Sequence, residues 1–214
     1  IETRDRLGRL THYEYDHYGL LTTLTNHNGD SRHMRYNGLL LPIETIDELG
    51  HKQTMQYNDL GLLTSSTDAE GNTTRYQYNT EGLLTATIDA KGNQHQYHYD
   101  EQHRLIAQTD CSGHKTKYEY GPLGQVISMT DAEGNTTRYH YDRYYRVSRI
   151  DHPDGNSENF QYDHANRLIT LTDALSQKTV YHYDLDALPK ERINALGKCF
   201  AYHYDPARRL CALT

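Results

Sequence analysis

Tyrosines recur along the chain at an interval of 21 residues, with no insertion or deletion between them. This anchor column consists of Tyr15, Tyr36, Tyr57, Tyr78, Tyr99, Tyr120, Tyr141, Tyr162, Tyr183 and Tyr204. Two residues before each anchor stands another large apolar side chain, in a second column of Tyr13, Met34, Met55, Tyr76, Tyr97, Tyr118, Tyr139, Phe160, Tyr181 and Tyr202. Because side chains two residues apart share one face of a strand, the two columns predict a β-strand that ends at each anchor.

Turn signals recur with the same period and divide each unit into two strands. An Asp or Asn follows most anchors directly, as Asp16 and Asn58 do, and a glycine often stands three residues later. A second Asx-x-x-Gly completes the unit, and its turn glycines are Gly8, Gly29, Gly50, Gly71, Gly92, Gly113, Gly134, Gly155 and Gly197. The Asx side chain accepts hydrogen bonds from the turn and glycine supplies a positive φ, so each signal predicts a type I turn with a bulge. Each unit is therefore predicted to be one β-hairpin.

Several positions depart from this pattern. The pair Asn37-Gly38 favours a two-residue type I′ turn. Pro42 and Pro189 lack the amide that a ladder bond needs, so we expect them at strand starts and consider both as places where the ribbon bends. Most units after residue 100 lack the glycine of the first turn, and looser loops are expected there, at His103, Tyr145, Asn166, Ala187 and Arg208.

Two strands per unit predict an all-β protein of about 20 strands. No segment has the 3.6-residue spacing of a helix. A sheet of this width twists, so the hairpins are expected to form a curved, spiralling antiparallel ribbon. Residues 1–214 are interpreted as a single array of about ten repeats, with both ends cut from a longer chain. The tyrosine side of such a ribbon is expected to meet another layer or a cargo.

Composition limits the core and the classes of partner. Only 36% of the residues are hydrophobic and tryptophan is absent, but there are 20 tyrosines, whose rings suit half-wet surfaces. A net charge of −7 with scattered Lys and Arg argues against a nucleic-acid surface. No apolar run approaches the roughly 20 residues that span a bilayer. Cys111, Cys199 and Cys211 lack the spacing of a zinc site or a disulfide framework.

No catalytic, cofactor or metal site is predicted. His98, His140, His182 and His203 share one column, but strand spacing separates neighbouring positions of the column by about 10 Å, and His98 and His140 are two repeats apart, too far to hold one ion. We interpret them as polar residues on the solvent side of a strand. The Asp residues are assigned to turn capping, and the chain has no GxSxG, HExxH or P-loop motif.

The joint columns resemble the YD repeat of the Rhs family. The best copies are YQYNTEGLLTATIDAKGNQHQYHYD at 76–100 and YHYDRYYRVSRIDHPDGNSENFQYD at 139–163, and TDAEGNTTRY occurs at both 67–76 and 130–139. The resemblance implies that the ribbon is part of a hollow shell. In bacterial polymorphic toxins and the C components of insecticidal toxin complexes, such a shell encloses a C-terminal toxin domain, and teneurins have a related shell.

The resemblance also implies a function and a set of partners. The expected function is a non-enzymatic shell segment of an Rhs-type toxin, secreted or delivered from a bacterial cell. The implied partners are the remainder of the shell, the enclosed toxin domain and a secretion-system, immunity or chaperone protein, with no nucleic acid and no membrane span. The segment 205–210 departs from the self-cleaving DPxGL-type motif of the family, so autoproteolysis is not expected there. The alternative is a cell-surface adhesin or carbohydrate-binding array, because exposed rings can stack on sugars.

Overall fold

The computed structural model describes all 214 residues and confirms the all-β prediction. The strands are β1 (Glu2–Arg4), β2 (Leu10–Tyr15), β3 (Leu21–Thr25), β4 (Ser31–Tyr36), β5 (Pro42–Ile46), β6 (Lys52–Tyr57), β7 (Leu63–Thr67), β8 (Thr73–Tyr78), β9 (Leu84–Ile88), β10 (Gln94–Tyr99), β11 (Leu105–Thr109), β12 (Lys115–Tyr120), β13 (Val126–Thr130), β14 (Thr136–Tyr141), β15 (Val147–Asp151), β16 (Ser157–Tyr162), β17 (Leu168–Thr172), β18 (Lys178–Tyr183), β19 (Pro189–Ile193), β20 (Cys199–Tyr204) and β21 (Leu210–Leu213). No helix with the length and apolar content needed to cross a membrane is found.

The chain divides into two compact units, residues 1–113 and residues 114–214. In the first unit each strand from β1 to β11 pairs antiparallel with the next strand in the chain. In the second unit β12 to β21 do the same. Each unit is therefore a row of consecutive hairpins, as the paired turn signals predict. The single array of about ten repeats and the curvature of the ribbon stay predictions.

Long and short ladders alternate along each row. Strands β8 and β9 share four residue pairs, which end at the anchor with a bulge where Tyr78 faces Leu84. Strands β7 and β8 share only three pairs, and the last of them joins Ser65 to Arg75. Leu63 at the start of β7 and Tyr78 at the end of β8 thus lie beyond the short ladder.

The turns have the predicted capped geometry. The amide of Gly71 donates to the carbonyl of Asp68 at 3.1 Å, and the amide of Asp68 donates to the carbonyl of Asn72 at 3.0 Å. The carboxylate of Asp68 accepts the amides of Glu70 and Asn72 at 3.0 and 2.8 Å. Gly71 has a φ of +85°, a conformation that costs a side chain about 1–2 kcal/mol. Capping by Asx and closure by a positive φ are both confirmed.

The predicted type I′ turn at Asn37-Gly38 is wrong. The amide of Leu40 donates to the carbonyl of Asn37 at 3.0 Å, so Asn37 begins the same turn as its counterparts in other units. Leu40 takes the positive φ of +62°, and Gly38 does not. A shorter loop would change the register of Tyr36 opposite Pro42, and a one-residue slip moves every side chain to the other face. The register of the tyrosine columns therefore overrides the local preference of Asn-Gly.

The looser loops expected after residue 100 are also not found. The five residues that replace glycine have φ values from +61° to +65° and keep the same backbone hydrogen bonds, and they are His103, Tyr145, Asn166, Ala187 and Arg208. The capped turn and the flanking ladders together hold these residues in a conformation that glycine would adopt without strain. Pro42 and Pro189 do stand at strand starts, as expected.

Neither unit contains a conventional hydrophobic core. No large side chain is fully buried, and the buried residues within strands are small and stand at strand centres: Ala86, Ala107, Ser128 and Thr170. They lie opposite the polar residues between the paired tyrosines, as Ala86 lies opposite Gln77. Ser128 donates to the carboxylate of Glu119 at 2.7 Å. The face away from the tyrosines is therefore closed by polar side chains over a small-residue column.

Candidate functional site

Both tyrosine columns lie on one face of each unit, which we call the tyrosine face. Tyr76 faces Thr87 across the β8–β9 ladder, and Tyr139 faces Ile150 across the β14–β15 ladder. The anchors are half-buried, and Tyr15 is the most exposed of them at 45%. Within each unit a strand contacts only its immediate neighbours, so no second layer of the same unit covers this face.

The anchor hydroxyls close the openings that the short ladders leave. In seven of the 21-residue repeats the anchor hydroxyl donates to the carbonyl of the residue 15 positions earlier, at the start of the preceding strand. These bonds are Tyr36–Leu21 at 2.9 Å, Tyr57–Pro42 at 2.9 Å, Tyr78–Leu63 at 2.8 Å, Tyr99–Leu84 at 2.9 Å, Tyr141–Val126 at 2.6 Å, Tyr162–Val147 at 2.9 Å and Tyr183–Leu168 at 2.9 Å. Each phenol thus replaces a missing main-chain bond between consecutive repeats.

The environment of the anchors favours the neutral phenol that this bond requires. Burial raises the pKa of Tyr57, Tyr78 and Tyr99 above the ordinary value. Burial also raises the pKa of Tyr162, where the nearby charge of Arg146 opposes the effect without cancelling it. The hydroxyl therefore remains a donor at neutral pH.

A second contact between repeats comes from the residue four positions after the Asx of the first turn, which we call the connector. In the first unit the connectors before residue 100 are leucines. A Cβ placed on Gly61 would lie 3.4 Å from Cδ1 of Leu41, and one on Gly82 would lie 3.6 Å from Cδ1 of Leu62. Leu41 and Leu62 thus pack against the positive-φ glycine of the next first turn.

In the second unit three connectors are arginines, namely Arg146, Arg167 and Arg209, and Arg146 makes the largest set of contacts. Its Nε donates to the carboxylate of Asp142 at 2.8 Å, and its Nη1 donates to the carbonyl of Asp163 at 3.1 Å and to the side chain of Asn166 at 2.9 Å. Its guanidinium carbon lies 4.5 Å from the ring centre of Tyr162. One side chain therefore joins its own turn, the next anchor and the next turn.

Arg167 has the same arrangement one 21-residue repeat later in the same unit. Its Nε donates to the carboxylate of Asp163 at 2.7 Å, and its guanidinium carbon lies 4.8 Å from the ring centre of Tyr183. The backbone amide and the side chain of Arg167 hold the pKa of Asp163 below its ordinary value, although burial opposes this. The ion pair is therefore present at neutral pH.

The turn glycines, the histidine column and the cysteines form no binding site in the structure. All nine turn glycines have φ values from +75° to +89°. The four histidines of the shared column are exposed, and no group of three or more His, Cys, Asp or Glu side chains is placed to hold a metal ion. The three cysteines are exposed and unpaired.

Sequence reasoning missed the arginine connectors and the acceptors of the anchor hydroxyls. The connectors had a visible signal, because Arg104, Arg146 and Arg167 each stand four residues after an Asp at multiples of 21. The carbonyl acceptors had no such signal, because the length of the short ladder decides which main-chain carbonyl lacks a ladder hydrogen bond.

Comparison with known proteins gives one family and a consistent set of structures. A sequence profile of the RHS Repeat matches residues 57–94, 99–136 and 122–157. The crystal structure of TcdB2-TccC3 is 15% identical with a TM-score of 0.72, covering 99% of this chain and 15% of that chain. The crystal structure of TcdB2-TccC3 without hypervariable C-terminal region is 13% identical with a TM-score of 0.66, covering 99% and 14%.

A third structure, TcdB2-TccC3-Cdc42, is 13% identical with a TM-score of 0.66. The match covers 96% of this chain and 14% of that chain. The chain thus spans about one seventh of the length of these proteins. No match was found among curated proteins. At this identity the similarity is one of fold.

Proposed function

We propose that this chain, which belongs to the Rhs/YD-repeat family, is a non-enzymatic wall segment of a toxin shell. The observation that carries the proposal is the bonding between consecutive repeats. Within each unit every repeat is joined to the next by a ladder, and in seven repeats an anchor hydroxyl such as that of Tyr78 adds a bond. Cohesion therefore runs along the row of hairpins.

This bonding suits a thin wall. A globular domain buries a core between two layers, whereas here no large side chain is fully buried and strands contact only their chain neighbours. A single layer held by lateral bonds can extend repeat by repeat, and its stability is approximately a sum of nearest-neighbour terms. Such a layer separates two compartments without filling either.

The partners follow from the same proposal. TcdB2-TccC3 has a fold that this chain shares over nearly its whole length, and that protein has a hypervariable C-terminal region. We propose that this segment joins the remainder of a shell that encloses a C-terminal toxin domain. A secretion-system, immunity or chaperone protein would complete the set of partners, and the assembly would be delivered from a bacterial cell.

Limited proteolysis of the native gene product tests enclosure. The toxin domain is expected to resist protease while the shell is folded and to be digested once anchor tyrosines of this segment, such as Tyr99, are replaced by alanine. The free toxin domain serves as the sensitive control. Equal digestion of the free domain and the domain in the intact protein would overturn the proposal. Tyrosine-dependent binding of the chain to a glycan array would support the adhesin instead.

A further inference from the structure

Arg192 is a cation without an ionic partner on the tyrosine face of the second unit. It faces Tyr181 on one side and Phe200 on the other. Its guanidinium carbon lies 4.7 Å from the ring centre of Phe200, and its Nε is buried with no hydrogen-bond partner. An unsatisfied buried donor is costly, so this guanidinium lacks one stabilising partner in the structure.

A second cation lies beside the same ring. Nζ of Lys198 is 5.0 Å from the ring centre of Phe200, and the lysine forms no ion pair in the structure. By contrast, Arg149 on the opposite face is paired with Asp151 at 2.6 Å. Arg192 and Lys198 therefore form a local positive site in a chain whose net charge is −7.

Next to this site runs a stripe of apolar side chains. Cross-strand pairs join Tyr118 to Met129, Tyr139 to Ile150 and Phe160 to Leu171, and the stripe ends at Tyr181 beside Arg192. All seven residues are half-buried. The corresponding partners in the first unit include the polar Thr45, Ser66 and Thr87, so only the second unit has the stripe.

The tyrosine face also carries one carboxylate, that of Glu158, which does not neutralise Arg192 and Lys198. Glu158 lies opposite Ile150, and it is within 3.3 Å of Nε2 of His152 at the neighbouring turn. The stripe from Tyr118 to Arg192 crosses eight strands, a span of about 34 Å at the usual strand spacing. An extended segment of about ten residues has this length.

We propose that the tyrosine face of residues 114–214 docks an extended polypeptide segment with apolar side chains along the stripe and a carboxylate beside Arg192 and Lys198. The inference rests on the proposed function in one respect, since the enclosed domain would supply the segment. A carboxylate beside the terminal nitrogens of Arg192 and Lys198 neutralises both cations, and charged hydrogen bonds of this kind are the strong ones. Elsewhere the negative chain repels an acidic segment, so the charge also fixes where the segment lies.

Peptide binding to the full 214-residue chain tests the site. The probe is a ten-residue peptide with leucine at alternate positions and a glutamate near one end, and its matched control has glutamine in place of the glutamate. The glutamate probe is expected to bind about tenfold more tightly, the effect of one charged hydrogen bond. In Arg192→Gln this preference is expected to disappear. Fluorescence anisotropy measures both affinities.

Three variants separate charge, apolar contact and folding. Arg149→Gln on the opposite face is the matched control and should leave both affinities unchanged. Ile150→Thr should weaken both probes equally, because it shortens the apolar stripe. Arg192→Lys keeps the charge, so it should retain part of the preference even where Arg192→Gln fails to fold, as monitored by circular dichroism.

Equal affinity of the native chain for the two probes would overturn the proposal, and so would dimerisation of the chain through this face at the probe concentrations used. Failure here is distinct from failure of enclosure. Peptide binding without protease protection rejects the shell and keeps the site. Protease protection without a preference that depends on Arg192 rejects the site and keeps the shell.

Discussion

The first turns of the two units hold consecutive repeats together in different ways. In the first unit Leu41 packs against Gly61, and in the second unit Arg146 donates to Asn166. Both contacts join a connector to the positive-φ residue of the next first turn, 20 positions later. The same backbone period therefore accepts either an apolar connector that packs on the next turn or a charged connector that bonds to a side chain there.

At one first turn the arginine connector compensates in part for the missing glycine. Asn166 has a φ of +64° and accepts a hydrogen bond from Arg146, which offsets some of the strain of that conformation. Gly61 could not be replaced as freely, because a Cβ there would approach Leu41 at 3.4 Å in addition to being strained at φ +77°. We therefore expect the two units to respond differently to substitution, acid and base.

Loss of an anchor ring should have the largest effect and should be larger where an arginine covers the ring. Tyr99→Ala is expected to reduce the free energy of unfolding by about 2–3 kcal/mol, somewhat below the cost in a full core because the ring is half-buried. Tyr162→Ala should cost about 0.5–1 kcal/mol more, because the contact with Arg146 is also lost. Urea unfolding measures both.

The phenylalanine variants isolate the hydroxyl. Tyr99→Phe and Tyr162→Phe keep the ring and should each cost about 1 kcal/mol, since one hydrogen bond to a main-chain carbonyl is removed. A cost below about 1 kcal/mol for Tyr99→Ala would show that the anchor rings contribute little to stability.

Exchange of the connectors should have the next largest effect. Arg146→Leu is expected to reduce the free energy of unfolding by about 1–2 kcal/mol, because it removes an ion pair, a ring contact and two hydrogen bonds from a side chain that is 19% exposed. Leu62→Arg should cost less than about 1 kcal/mol through lost packing, and Asn58 offers it no carboxylate. Denaturation at low and high salt should show salt dependence for the native Arg146 only.

Changes at the positive-φ positions should be of opposite sign in two neighbouring turns. Leu40→Gly is expected to stabilise the chain by about 1 kcal/mol, because leucine at φ +62° is strained and glycine is not. Gly61→Ala is expected to destabilise it by about 1 kcal/mol for the converse reason. Thermal unfolding of the two single variants checks the signs. A lower midpoint for Leu40→Gly would show that the leucine side chain makes a contact worth more than the strain.

The sequence predicts the hairpins because tyrosine columns and turn signals agree on one period. It misleads at Asn37-Gly38, where a strong local preference conflicts with the register that the flanking columns impose. It also misleads at Tyr145, where loss of glycine does not loosen a turn that keeps its Asx cap. The Tyr78 bond to Leu63 could not be predicted, because it depends on where a short ladder stops.

Acid should weaken the first turns that an Asp caps, such as the turn of Asp142, and spare those that an Asn caps, such as the turn of Asn58. The Arg146 side chain and nearby amides lower the pKa of Asp142 from 3.8, and they outweigh the effect of burial, which raises it. A depressed pKa means that this contribution is present above 3.8 and is lost as the pH falls through the folded-state value. Asn58 at the equivalent position in the first unit does not titrate.

Hydrogen exchange measures this difference at two matched amides. The amide of Tyr144 donates to Asp142 and the amide of Leu60 donates to Asn58. Between about pH 6 and about pH 3, protection of the Tyr144 amide should fall relative to its intrinsic rate, while protection of the Leu60 amide stays constant. Parallel loss of protection at both amides would indicate global unfolding in place of local loss of the cap.

The smallest expected effect is on the titration of the anchor tyrosines at high pH. The pKa of each anchor should depend on the connector residue that lies beside its ring. Burial raises the pKa of Tyr162 above 10, and Arg146 partly opposes the rise. Because the folded-state pKa is the higher one, the stabilisation by the neutral phenol is complete below pH 10 and is lost as the pH rises through the folded-state value. Arg146→Leu should therefore raise the pKa of Tyr162 further and leave that of Tyr78, whose unit has a leucine connector, unchanged. An NMR titration of the tyrosine Cζ resonances measures both values, and an unchanged or lower pKa at Tyr162 would show that the guanidinium does not act on this ring.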